Sequence, residues 1–105
     1  MSSPTPYRSL RLCSSGGGFE ALPERNVQAD LPEVRRLLEA EGIRVVDARV
    51  LLIAATSPEV TISRSGRILF KTQDESAARS AFERIARIAR FEQTLRPAVG
   101  AGPRG

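Results

Sequence analysis

Histidine and tryptophan are missing from this sequence, and cysteine, methionine and tyrosine occur once each. Without histidine, the chain has neither the usual general base near neutral pH nor the commonest metal ligand. A Ser-His-Asp triad, a Cys-His dyad and a His-containing zinc site are therefore excluded within one chain. A lone cysteine, Cys13, leaves no internal disulfide to form. It falls on an expected strand with no base nearby, and reads as a small packed residue rather than a nucleophile. No run of about eighteen apolar residues occurs, so no membrane span is expected. The first six residues lack the charged and apolar regions of a secretory signal, which makes the cytoplasm the expected compartment.

Lysine is nearly absent as well: fifteen of the 16 basic residues are arginine. Arginine suits phosphate contacts and ion-pair networks alike. The net charge of +4 is unevenly spread. Up to Glu59, seven arginines face eight acids; from Val60 to Arg96, eight basic residues face four acids; Arg104 completes the sum. This bias suits an acidic partner. The competing reading is a solvated Arg/Glu surface, as in a thermophile or a GC-rich genome.

What is present fits one domain, expected over residues 7–93, between a disordered N-terminus (1–6) and a disordered C-terminal tail (94–105). The stretch from Tyr7 to Ser14 reads as a strand, with Leu10 and Leu12 towards the core and Tyr7, Ser9, Arg11 and Cys13 on the other side. Residues 15–30 read as an irregular loop, pinned by Phe19, Leu22 and Val27. Asp30, Pro32 and Glu33 form a helix start with a capping box. Leu31, Val34, Leu37 and Leu38 share its apolar face, and Gly42 supplies a left-handed end with Ile43 packing back. Arg44 to Thr56 reads as one long strand, with Val46, Ala48, Val50, Leu52 and Ala54 on the core face. Glu59–Arg64 and Arg67–Thr72 form a hairpin turning at Ser65 and Gly66, with Val60, Ile62, Ile68 and Phe70 inward. A second helix runs from Asp74 to about Gln93 with a stripe of Ala78, Ala81, Phe82, Ile85, Ile88 and Ala89. Glu75–Arg79, Arg79–Glu83 and Glu83–Arg87 are charge pairs on its wet side.

The predicted fold is therefore α+β, a twisted antiparallel sheet with two helices on one face, in the order β-α-β-β-β-α. Two amphipathic helices cover one sheet face and leave the other open. The residues expected there include Arg11, Arg49, Leu51, Ile53, Ser63, Arg67, Leu69 and Lys71, together with Tyr7, Ser9, Asp47 and Thr61. Such a face can bind nucleic acid, another protein or a second copy of itself, unless the long loop folds over it.

From Val60 to Thr72 the sequence reads VTISRSGRILFKT, followed by an acid-started helix containing Arg84, Ile85, Ala86, Arg87 and Ile88. This resembles one half-repeat of the TATA-box-binding protein. That family has an apolar strand, a Ser-Gly-Lys or Ser-Gly-Arg turn, a strand ending in Thr and a Glu/Ala/Arg-rich helix. The resemblance implies DNA binding on the sheet face. It also implies a homodimer, because the family carries two repeats and this chain has room for one. The family's DNA-kinking phenylalanines would fall at Val46 and Ser63; neither is aromatic, so kinking is not implied.

Other groupings carry less. Residues 14–18 could cradle a phosphate but lack a Walker lysine and do not open into a helix. Glu20, Glu24, Asp30 and Glu33 lack convergent ligand spacing. Arg84, Arg87, Arg90 and Arg96 could track a phosphate backbone, or form a solvated face with Glu83 and Glu92. No catalytic residue, metal or cofactor is expected. The leading function is a small nucleic-acid-binding module for DNA or RNA, homodimeric; the alternative is a protein-interaction or assembly module without catalysis.

Overall fold

The computed structural model describes Tyr7, the backbone of Arg11 and Leu12, and residues 18–97. The chain is α+β, in the order β1 (Arg11–Leu12), β2 (Phe19–Ala21), β3 (Val27–Ala29), α1 (Leu31–Ala40), β4 (Val45–Asp47), β5 (Leu51–Ala54), β6 (Val60–Ser63), β7 (Ile68–Phe70), α2 (Glu75–Ala89), α3 (Phe91–Thr94) and β8 (Leu95–Pro97). The main sheet is antiparallel, with strand order β1-β2-β7-β6-β5-β4, and β3 pairs with β8 in a second, small sheet. The expected order β-α-β-β-β-α thus holds for its main helices and hairpin but omits several short strands.

Both main helices form where the apolar spacing places them. Leu31, Val34, Leu37 and Leu38 are the buried side of α1, and Ala78, Ile85 and Ala89 that of α2. Asp30 caps α1 by accepting from the Glu33 N–H at 3.2 Å. The capping box is only half made, because Glu33 turns to Arg36 and the Asp30 N–H donates to the Thr94 carbonyl. Gly42 has φ of +82°, as the helix end requires, and Ile43 is buried behind it. Asp74 caps α2 with both the Ser76 and Ala77 N–H groups. That helix stops at Arg90, in the left-handed region, and the chain restarts as α3, burying Phe91. Of the three expected charge pairs only Glu75–Arg79 forms, at 2.7 Å.

The stretch 44–56 departs most from expectation. It is a hairpin, β4 against β5, rather than one strand. The Asp47 carboxylate accepts the Arg49 N–H at 2.8 Å, and Arg49 adopts φ of +75°. The Val50 N–H then donates to the Ala48 carbonyl, closing a three-residue turn. An aspartate that bonds the backbone two residues on can build this turn without glycine or proline. The turn also shifts the pleat by one residue, which exchanges faces. Val45, not Val46, is buried with Leu52 and Ala54, and Val46 and Val50 are exposed.

Residues 15–30 are also more regular than expected, since β2 pairs with β7 and β3 with β8. Gly18 fits at the entry to β2 because a Cβ there would lie 2.1 Å from the Phe70 carbonyl oxygen. Beyond Gln93 the predicted tail is corrected too: Leu95–Pro97 forms β8, and residues 98–105 lie outside the described residues. Tyr7 was expected away from the core but is buried, its ring centroid 5.5 Å from Phe82 and 5.2 Å from Phe91. Leu10, Cys13 and Ser14 to Gly17 lie outside the described residues, as do Ser9 and residues 1–6.

Candidate interaction face

The register arranges the sheet side chains in rows. One row, Val45–Ala54–Val60–Phe70–Phe19, runs across five strands, and another, Leu52–Ile62–Ile68–Ala21, lies beside it. All of these are buried, in one core with α1 and α2. By alternation, the row between them points away from the helices: Val46–Ile53–Thr61–Leu69–Glu20. Leu51 and Ser63 pair on that same face, and the Ser63 N–H donates to the Arg67 carbonyl at 2.8 Å.

This places Leu51, Ile53, Ser63, Arg67 and Leu69 on one face of the sheet. Leu51, Ile53, Ser63 and Leu69 are half-buried. Lys71 lies one step further along β7, and Arg49 sits on the β4–β5 turn. Arg11 pairs with Glu20 through its strand backbone, but its side chain lies outside the described residues. Asp47 is corrected: it pairs with core-facing Leu52, and its carboxylate meets Arg35 of α1 at 3.3 Å.

Charge on the face is largely matched. Arg67 Nε donates to Glu20 Oε1 at 2.7 Å, and Glu20 is only 8% exposed. Lys71 Nζ lies 3.8 Å from Glu59 Oε2. Two of the basic residues expected on the binding face, Arg67 and Lys71, are therefore engaged with carboxylates. Arg44 and Arg49 have exposed guanidinium groups without a carboxylate partner among the described residues.

The residues missed from sequence lie at the sheet edge. Val46 is 53% exposed and Val50 56%, the only large hydrophobic residues this exposed among the described residues. Both belong to the β4–β5 hairpin, and β4 is the last strand of the sheet. The Ala55 N–H to Arg44 carbonyl bond and the Ala48 N–H to Leu51 carbonyl bond set the phase of that hairpin. Hence Val46 bonds inward to Ile53, while Val45 and Asp47 turn their backbone groups outward. A charge in place of one β4 valine would guard this edge; no sequence signal marks it, because the apolar alternation runs unbroken from Val46 to Ala54.

The acids considered for metal or acid–base chemistry are not brought together. Glu20 serves Arg67, Asp30 caps α1 and meets Arg96, and Glu33 bonds Arg36. Among the described residues no group of three or more ligating side chains could hold a metal ion. No helix among them is long and apolar enough to cross a membrane. No family model, curated protein or solved structure matches this chain.

Proposed function

We propose that the chain is an assembly module that meets a second copy of itself through the β4 edge and the adjoining helix-free face. The observation that carries this reading is the coincidence of Val46 and Val50, exposed, with an outer edge of the sheet that no strand among the described residues pairs. Edge strands with apolar side chains favour pairing with another chain. An antiparallel copy with Val46 opposite its own Val46 brings Val45 of each chain opposite Asp47 of the other. That register is self-complementary, as a two-fold interface requires, and keeps both helix layers on one side. Ile53 and Leu51 extend the apolar strip inward from the seam.

Sedimentation and light scattering across a concentration series test the idea. The expected result is a dimer that Val46→Lys converts to monomer, and that Leu51→Lys weakens, with circular dichroism unchanged. A wild-type chain that stays monomeric, or a Val46→Lys chain that dimerises as well as wild type, would remove the proposal.

A second reading, binding of DNA or RNA, draws on Arg44 and Arg49 beside the same edge and on the half-repeat resemblance. Pairing of Arg67 and Lys71 with Glu20 and Glu59 weighs against it. Phosphate contacts make affinity fall steeply with salt. Titration against labelled duplex and single strands should then show salt-sensitive binding that Arg44→Gln and Arg49→Gln reduce; its absence at low salt rejects this reading.

A further inference from the structure

A cleft of about 190 Å³ lies on the helix side of the molecule, between the β5–β6 connection and α2. Thr56, Ser57 and Pro58 form one wall, and Ser80 and Arg84 stand on the other above Ala81 and Ile85. We propose that this cleft binds a tetrahedral oxyanion of the phosphate class.

Its lining holds donors and one cation but no carboxylate. One turn earlier on the same helix, Arg79 is held by Glu75 at 2.7 Å. Arg84 has no carboxylate partner, and the Ser57 and Ser80 hydroxyls no hydrogen-bond partner, among the described residues. The Ser57 backbone N–H also donates to no described residue, and Pro58 has no N–H to compete with it. The Thr56 hydroxyl is spent differently, donating to the Pro58 carbonyl at 2.7 Å and holding the connection in shape. A planar guanidinium with flanking hydroxyl and amide donors matches the oxygens of phosphate, and charge-assisted bonds of this kind are the strong ones. Ala81 and Ile85 give the cleft an apolar floor beneath these exposed donors.

The test is an amide NMR titration of the full chain with inorganic phosphate, against chloride at matched ionic strength. Saturating shifts at Ser57, Ser80 and Arg84 are expected, with affinity falling about tenfold in Arg84→Gln and partly recovering in Arg84→Lys. A parallel arm with glycerol 3-phosphate separates the sources: tighter binding than phosphate marks a phosphorylated ligand, and equal binding marks the free anion. Shifts that grow linearly, that chloride reproduces, or that persist in Arg84→Gln overturn the proposal. None of these outcomes depends on self-association through β4, which is read by a different measurement.

Discussion

Tyr7 ties the chain's beginning to two distant parts of the fold. Its ring packs against Phe82 and Phe91, and its hydroxyl donates to the Gly66 carbonyl at 2.6 Å. Burial pushes its phenol well above the usual range, because the charged form would lose its water. In the unfolded chain the group titrates near pH 10. Stability from this proton is fully present below about pH 10 and is lost as the pH rises further, by up to about 1.4 kcal/mol per unit. Denaturant unfolding between neutral and strongly alkaline pH should show that fall. Tyr7→Phe should flatten it while lowering stability at neutral pH by about 1 kcal/mol, the worth of one buried hydrogen bond. An unchanged alkaline limb in Tyr7→Phe would put the titrating group elsewhere. Gly18 offers a second residue-level measurement. A methyl there meets the Phe70 carbonyl oxygen, a backbone atom that cannot swing away. Gly18→Ala should cost at least about 2 kcal/mol in the same assay; a neutral result would mean that β2 enters the sheet differently.

Among the elements, α1 depends on a single residue more than its length suggests. Asp30 caps its first turn, receives Arg96 at 3.1 Å, and through its own N–H bonds the Thr94 carbonyl. The cap therefore joins α1 to α3 and β8. Asp30→Ala removes the side-chain bonds and should lower stability by about 1–2 kcal/mol, whereas Asp30→Asn should retain most of the cap. Thermal melts of both variants separate capping from charge: equal losses would assign the effect to the Arg96 pair. The β4–β5 hairpin is the element whose identity was hardest to foresee. Its turn uses Asp47, Ala48, Arg49 and Val50, with none of the usual turn residues except the aspartate. Alternation of apolar residues continues through it, so a continuous strand and a tight hairpin look alike by pattern.

At the scale of the whole molecule, one layer of helices covers one sheet face, and the edge of β4, unpaired among the described residues, lies beside the exposed valines. If the chain dimerises there, its melting temperature should rise with protein concentration, because association stabilises only the folded form. Val46→Lys should abolish that dependence and leave the dilute-limit value nearly unchanged, since Val46 lies outside the core. A melting temperature independent of concentration would agree with a monomer.

Local sequence alone determined α1, α2 and the β6–β7 hairpin. In each, the contacts that choose the structure lie within a few residues: a capping aspartate, an apolar stripe at helical spacing, or alternating Val60, Ile62, Ile68 and Phe70. Only the tertiary structure decided β2, β3 and β8, whose three residues each have no periodicity to display and whose hydrogen-bond partners lie far along the chain. It also decided which way Val46 faces. A one-residue change of phase inverts every side chain of a strand, and that phase is set by the Asp47 turn together with the ladder to β5, contacts that the apolar alternation does not display.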